Sequence, residues 1–358
     1  MTQSLPVVRR VGLYALTIGA ATGGGALFDA LALPLPWMLG SLAASACLAL
    51  IGQSAKAPSF CVKAGQMTIG LALGLYFTPT VIAALTQMLG WMIGVGLYTC
   101  LMSLLGAVFL QRFMGFDGKT SFYAAAIGAA SDMAIQAHKA GARGDLVAVS
   151  HSIRVAMVVS IIPVIAADLV GQMGVNRSAL GSGVLYLPWL QTIVLAVAAL
   201  FAALLADRIR GFPNVWVLAP LLAALVSAAL LPEHRLHPVL VAAGQIMLGW
   251  NLGQRFTREL FAESPRLAVA AALMTLAFLG LSLVMALSVH VGLQMNWATS
   301  LVATAPGGIA EMAITAKVLN LDPPTVTAFH AVRLVMMVTG ADLLMKLGFY
   351  LGWLKDDS

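Results

Sequence analysis

The sequence predicts an all-α polytopic membrane protein made of two inverted repeats, each with about five spanning helices plus one interrupted or re-entrant segment. Only 9% of the 358 residues are charged, and the mean hydropathy is +0.93. A soluble domain carries roughly 25% charged residues. Apolar runs of about 20 residues, long enough to cross a bilayer, recur along the whole length. No segment alternates with a two-residue period, as the strands of a membrane β-barrel would.

The repeats are visible as a self-match. A shift of 179 positions places residues 65–74, "GQMTIGLALG", on residues 244–253, "GQIMLGWNLG", without a gap. The same shift places "AAIGAASDMAIQA" on "TAPGGIAEMAITA". A fixed offset held over this distance indicates an internal duplication. We predict membrane repeat 1 over residues 11–179 and membrane repeat 2 over residues 188–355.

Each repeat contains six apolar segments, and their positions follow the offset. The segments lie near residues 11–30, 34–53, 60–78, 83–111, 120–138 and 147–170, and near residues 188–206, 213–231, 238–256, 267–290, 298–317 and 325–352.

Basic residues predict the orientation. If the fifth segment of each repeat returns to the side it came from, most Lys and Arg fall on one side, which the positive-inside rule makes cytoplasmic. Both termini then lie in the cytoplasm, and five spans per repeat invert the second copy. The cytoplasmic set is Arg9, Arg10, Lys56, Lys63, Arg112, Lys119, Lys139, Arg143, Arg208, Arg210, Arg255, Arg258, Arg266 and Lys355, and the outer set is Arg177, Arg235 and Lys317.

The fifth segment of repeat 2 carries a helix breaker. Pro306 lacks a donor, and Gly307 and Gly308 are conformationally permissive. The helix that follows would start inside the membrane, where its free N–H groups suit an anion. Glu311 lies in its first turn. We expect the interruption to face a cavity or to be buried in protein.

Repeat 1 has no Pro-Gly-Gly here, so we expect a weaker break around Gly128, with Asp132 in place of the glutamate. Inverted copies would bring both breaks together near the midplane. There, Asp132 and Glu311 could bind a cation or carry a proton, since burial without a cationic partner favours a neutral carboxyl group. Alternatively, each carboxylate caps its helix or pairs with Arg154 or Arg333.

"HSIR" and "HAVR" place His151 with Arg154, and His330 with Arg333, three residues apart on one helix face. One interpretation is that the arginines contact an anion or carboxylate while the histidines tune protons. The other is that each arginine pins the interrupted segment to the next helix through backbone carbonyls.

Polar and small residues are paired in the third segments. Gly70 and Gly74, like their copies Gly249 and Gly253, indicate close helix packing. A second interpretation makes nearby amides solute contacts at the midplane. These amides are Gln66, Gln245 and Asn251.

At "APGGIAEMAITAKVLNLDPPTVTAFHAVRL" the sequence resembles the bacterial AbrB membrane-protein family, known for an internal duplication. The resemblance covers roughly Val11 to Leu351, and its most specific element is Pro-Gly-Gly-x-x-Glu-Met followed by Arg333. Repeat 1 departs from this pattern. The resemblance implies an inner-membrane protein, with some members labelled regulators of gene expression and others ammonia monooxygenases. A likeness to transporters with inverted five-helix repeats is analogy at fold level.

The sequence leaves three functions to be compared. The leading hypothesis is a secondary transporter for a small anionic or zwitterionic solute coupled to H⁺ or Na⁺, in the bacterial inner membrane. The alternative is a membrane-embedded regulator that affects gene expression indirectly, through a partner or a metabolite pool. An oxygenase would need clustered metal ligands, and the six histidines are dispersed.

We therefore expect a protein that is not an enzyme, with no cofactor and no metal site. No GxxxxGK[ST] phosphate loop is present in the sequence. The net charge of +6 lies in short scattered loops, so we expect no nucleic acid partner. The expected partners are membrane lipid and a small solute with H⁺ or Na⁺, and assembly with further copies of the chain into a homo-oligomer stays open.

Overall fold

The computed structural model describes residues 7–172, 185–209, 212–230, 234–258 and 265–355. The predicted repeat boundary at residue 179 and the residues Arg177 and Arg210 lie outside them, as do the side chains of Arg9 and Arg10.

The described chain is almost entirely helical. In repeat 1 the helices are α1 Val7–Ala30, α2 Pro36–Leu50, α3 Ser59–Gly74, α4 Pro79–Gln87, α5 Leu89–Met114, α6 Gly118–Ala125, α7 Ala130–Lys139 and α8 Gly144–Gln172. In repeat 2 they are α9 Trp189–Ala206, α10 Val215–Leu230, α11 Pro238–Gly253, α12 Pro265–Leu293, α13 Trp297–Thr304, α14 Ile309–Val318 and α15 Pro323–Tyr350. Two short strands, β1 Leu185–Tyr186 and β2 His234–Arg235, pair with each other in parallel.

Helix boundaries follow the 179-residue offset. Helices α3, α6 and α7 fall on α11, α13 and α14 residue for residue. Helix α8 and its copy α15 agree to one residue at their ends. Turn chemistry repeats as well, because the Asp117 side chain accepts from Thr120 N at the start of α6, while Asn296 does the same for α13.

Six described helices are long and apolar enough to cross a membrane. They are α1, α5, α8, α9, α12 and α15. The predicted multi-pass α-helical class is therefore confirmed. Helices α2, α3, α10 and α11 have only 15 or 16 residues each, and they lie in the interior of the bundle. The count of ten spans and the inversion of repeat 2 stay predictions.

The apolar segment near residues 83–111 is divided between two helices. The chain folds there as α4 and then α5, which starts at Leu89. Helix α4 makes an angle of 88° with α3. Pro79 at its first position and the Thr78 side chain, which accepts from Val81 N, start it as a separate helix.

The inner helices pack across the two repeats. A Cβ on Gly70 of α3 would collide with the Val217 carbonyl of α10, and a Cβ on Gly249 of α11 would collide with the Met38 carbonyl of α2. Val217 and Met38 are themselves copies under the offset. Gly74 and Gly253 make the corresponding contacts one turn later. The close packing predicted for these glycines is confirmed, and it is reciprocal between the repeats.

Candidate functional site

The two interrupted segments are the foundation of the site. Helices α6 and α7 are separated by residues 126–129, and helices α13 and α14 by residues 305–308. Both gaps hold the same number of residues. The helix is therefore interrupted over the same length in repeat 1 as in repeat 2, contrary to the expectation of a weaker break. Because repeat 1 has no proline in this gap, something other than proline must interrupt its helix.

In repeat 1, buried side chains hold the break open. Arg154 Nη1 donates to the Ala126 carbonyl at 2.8 Å, and Nη2 donates to the Gly128 carbonyl at 3.2 Å. Ser103 Oγ accepts from Ile127 N at 3.0 Å. These partners satisfy backbone groups that a continuous helix would have satisfied itself. A proline is therefore not needed at this position.

The histidine of the same helix face orients the arginine. Arg154 Nη2 lies 3.1 Å from His151 Nδ1, and His151 Nε2 lies 2.9 Å from the Tyr123 carbonyl. A guanidinium can only donate, so Nδ1 accepts and Nε2 carries the proton. This assignment makes His151 a neutral imidazole that links α8 to the end of α6.

Repeat 2 has the same contacts to backbone carbonyls, but His330 Nδ1 has no hydrogen-bond partner among the described residues, so the contact between histidine and arginine is not repeated. Arg333 donates to the Ala305 carbonyl at 2.6 Å and to the Gly307 carbonyl, and His330 Nε2 lies 2.9 Å from the Val302 carbonyl. Arg154 and Arg333 are 2% and 4% exposed, so these bonds are shielded from water. Of the two interpretations of "HSIR" and "HAVR", the hydrogen bonds match the one in which arginine pins the break.

The two carboxylates are placed differently. Glu311 Oε2 lies over Gly308, where a Cβ of that residue would stand, so the carboxylate covers the start of α14. In repeat 1 the copy of Gly308 is Ala129, whose methyl group fills that space. Asp132 Oδ2 accepts instead from Asn214 N at 3.3 Å, ahead of α10. The two carboxylates therefore have different neighbours.

Both breaks line one cavity of about 470 Å³. Gly128, Gly307, Gly308, Arg154 and Glu311 contribute from the breaks and α8. The exposed residue Ser59, at the start of α3, also lines it, so the cavity reaches the surface there. Its other polar contributors are Lys63, Gln66, Asn214, Asn251 and Arg255. The predicted meeting of the two breaks is confirmed, whereas their depth in a bilayer stays a prediction.

The predicted glutamine pair is split. Gln66 and Asn251 line the cavity, whereas Gln245 is 4% exposed, lies away from it, and its Oε1 has no hydrogen-bond partner among the described residues. Pro306 lies in the break beside Gly307, and its backbone interrupts the helix.

Several cavity residues with large or charged side chains or an amide were not predicted as site residues. These are Lys63, Asn214, Trp216 and Arg255. The copies of Lys63, Asn214 and Arg255 are Ala242, Leu35 and Tyr76. At these three positions one repeat has a charged or amide side chain where the other has a less polar one. This difference between the repeats could have identified the three residues from the sequence.

A profile of the family described as "Transition state regulatory protein AbrB" matches residues 4–348. The chain belongs to the AbrB family. This AbrB-family chain is 27% identical over 355 residues to "Uncharacterized protein YhjN" of Bacillus subtilis (strain 168), covering 91% of the chain and 90% of that protein. It is 26% identical over 355 residues to "Putative regulator AbrB" of Escherichia coli (strain K12), covering 97% and 98%.

In this AbrB-family chain the cavity combines three cationic side chains with one carboxylate. Lys63 Nζ lies 4.4 Å from the centre of the Trp216 ring, and Arg255 Nη1 donates to Ser152 Oγ at 3.2 Å. Arg154 completes the set, and Glu311 opposes it. Together with the N-terminus of α14, this arrangement can attract and hold a small anion.

Proposed function

We propose that this AbrB-family membrane protein is a secondary transporter of a small anionic or zwitterionic solute, coupled to H⁺ or Na⁺, with its site at the paired helix breaks. It works without enzymatic chemistry. The proposal places it in the bacterial inner membrane with both termini in the cytoplasm, so that the cavity mouth near Lys56 and Lys63 faces inward.

One observation carries the proposal: among the described residues, six positions that line the cavity have copies in the other repeat that are buried. Copies of Asn214, Val217, Leu248, Leu252, Ala57 and Val62 are Leu35, Met38, Ile69, Leu73, Leu236 and Val241, and each of these is at most 5% exposed. A transporter with repeated halves alternates which side is open around a fixed site.

Contacts on the packed side fit a closed gate. The Arg235 guanidinium lies 4.2 Å from the centre of the Tyr76 ring, and its Nη1 donates to the Leu75 carbonyl at 3.3 Å. Tyr76 is the copy of Arg255, which lines the open cavity. Opening the packed side would require these contacts to separate.

Matched cysteines test the alternation. In a background without the three native cysteines, Val62→Cys and its copy Val241→Cys are each exposed to a membrane-impermeant thiol reagent in oriented vesicles. Val62→Cys should react from one side at rest. Val241→Cys should react only from the opposite side, and only when solute and ion gradient drive turnover. Reaction of both from the same side would contradict the proposal.

Uptake into proteoliposomes tests transport itself. Labelled carboxylates and amino acids are offered with an H⁺ or a Na⁺ gradient to the wild type and to Glu311→Gln, with Asp132→Asn alongside. A solute accumulated by the wild type and not by Glu311→Gln identifies the substrate class. No accumulation of any anionic or zwitterionic solute under either gradient would count against the proposal.

A second candidate is the membrane-embedded regulator, favoured by the name of the Escherichia coli relative. Such a role would act through a partner protein or a metabolite pool. Complementation of a deletion separates the two. Full rescue of gene-expression changes by Glu311→Gln would favour regulation, because the transport proposal requires that carboxylate.

A further inference from the structure

The α14 N-terminus is covered by a carboxyl group of the protein itself. Gly308, the residue that precedes α14, offers no side-chain cap, and the first helical backbone bond there runs from Met312 N to the Gly308 carbonyl. The preceding N–H groups of the first turn have no partner within the helix. The Glu311 carboxylate lies over this helix start, in space left free because residue 308 is glycine.

A second observation points to a ligand beside the carboxylate. Arg154 lines the same cavity, is 2% exposed, and its Nε has no hydrogen-bond partner among the described residues. A buried, unpartnered donor on a charged group is costly. Arg333 Nε is also without a partner among the described residues, but Arg333 does not line the cavity, so a partner from the cavity could stabilise only Arg154. Such a partner must be an acceptor, which fits a carboxylate or another small oxyanion.

We propose that Glu311 is the resident anion of this site, and that a small oxyanion such as a carboxylate takes its place when Glu311 accepts a proton. This inference rests on the proposed transport function and names its coupling ion as H⁺. One proton from the open side neutralises the Glu311 carboxylate, which then no longer competes for the first-turn N–H groups. The anion binds to those groups and to the cavity cations. Release of the anion on the other side is followed by loss of the proton, and Glu311 returns over Gly308.

The charges around Glu311 support this linkage. Lys63 of α3, Arg154 of α8 and Arg255 after α11 line the cavity with it. Arg333 of α15 donates to the Ala305 carbonyl in the break that precedes α14. His330 of α15 is tied to the Val302 carbonyl, and His151 of α8 to the Tyr123 carbonyl. Lys317 lies at the other end of α14. Protonation of Glu311 leaves the cavity cations without their opposing carboxylate, so proton binding and anion binding favour each other.

Repeat 1 supplies an internal control. Ala129 stands where Gly308 does in repeat 2, and Asp132 Oδ2 accepts a hydrogen bond from Asn214 N. Asp132 does not line the cavity, whereas Glu311 does. Only Glu311 should therefore exchange with a bound anion in this state of the protein.

The test measures anion affinity of the full chain in nanodiscs. Methanesulfonate is the probe, because its charge does not change between about pH 5.5 and about pH 8, a range that glutamate can traverse when its environment is perturbed. Binding is followed by tryptophan fluorescence, and Trp216→Phe establishes which part of the signal comes from the cavity. The wild type should bind at least about tenfold more tightly at the lower pH, within the usual range of coupling between two ligands.

Glu311→Gln should bind with the same affinity at both pH values, close to that of the wild type at the lower pH. Asp132→Asn should keep the wild-type pH dependence. Gln is tolerated at the third position of a helix, which favours a folded variant. Gly308→Ala is a second test of the exchange, because it displaces the Glu311 carboxylate without removing it. This variant should reduce the pH dependence of the affinity for methanesulfonate.

The outcomes separate this inference from the transport proposal. Wild-type affinity that is equal at both pH values, or an unchanged pH dependence in Glu311→Gln, would overturn the exchange and leave transport standing. Absence of binding to the wild type and to Glu311→Gln at either pH would overturn the exchange together with the oxyanion class of solute.

Discussion

The carboxylate of Glu311 fills the space that a side chain at Gly308 would need. The two residues are joined by the first turn of α14, so the glycine and the acid act as one unit. In repeat 1 both members differ, with Ala129 and Asp132 at the matched positions. The difference explains why a duplicated sequence presents only one carboxylate to the cavity.

Gly308→Ala should move this carboxylate out of place. The new methyl group would overlap Oε2, so Glu311 must leave the helix start, and we expect a loss of about 1–3 kcal/mol in the free energy of unfolding, as for other overpacked sites. Chemical denaturation in detergent measures it. The matched control is Gly340→Ala in α15, where nothing lies within 4 Å of the new methyl group. That change should stabilise by about 0.5–1 kcal/mol. An equal gain in both variants would contradict the geometry at Gly308.

Arg154→Gln and Arg333→Gln should each destabilise the fold. Each arginine serves two carbonyls of a helix break, and a buried carbonyl left without its donor costs about 1–3 kcal/mol. We expect the free energy of unfolding in detergent to fall by about 3 kcal/mol or more in each variant. Arg143→Gln is the control, because its ion pair with Asp145 is 63% and 65% exposed and should contribute less than about 1 kcal/mol. Similar losses in all three variants would show that the break does not depend on its arginine.

Gly141 and Asn320 report the orientation of the repeats. They are copies under the offset, both are exposed, and both adopt positive φ angles of 78° and 51° after their helices. Cysteines at the two positions therefore carry similar backbone strain. An impermeant reagent should label Gly141→Cys from the cytoplasm and Asn320→Cys from outside. Labelling of both from one side would exclude inverted repeats.

Gln245→Leu should change thermal stability, whereas Gln66→Leu should change solute binding. Gln245 is buried with an unpartnered Oε1, so replacing it with an apolar side chain of similar size should raise the midpoint of thermal unfolding. The same change should slow transport, because it stabilises the packed side. Gln66 lines the cavity, and its loss should weaken solute binding with little effect on unfolding. A destabilised Gln245→Leu would contradict this account.

Much of the architecture could be predicted because it depends on features that repeat along the sequence. Long apolar runs predict the helices, and the offset predicts that Ser59 and Pro238 begin matched helices. The break in repeat 2 was evident from Pro306. The break in repeat 1 was underestimated because its stability comes from Arg154, a residue 26 positions away from Gly128, and a local sequence pattern carries no trace of that contact.

The site was harder to predict than the fold. Glu311 and Gly308 share a helical turn, so their proximity follows from spacing. Lys63 and Arg255 belong to different repeats, and their charge had already been assigned to loops by the positive-inside rule. The packing of α3 against α11 brings Lys63 and Arg255 to one cavity, which the two helix breaks also line.

The reciprocal glycine contacts bear on how the chain is made. Helix α2 packs against α11, and α3 against α10, so the glycine surfaces of each half are covered by the other half. While repeat 2 is still being synthesised, the glycine surfaces of repeat 1 lack these partners. We therefore expect the contacts between α2 and α11 and between α3 and α10 to form only after both repeats have been made. Two halves expressed as separate polypeptides should be degraded individually and survive only when produced together.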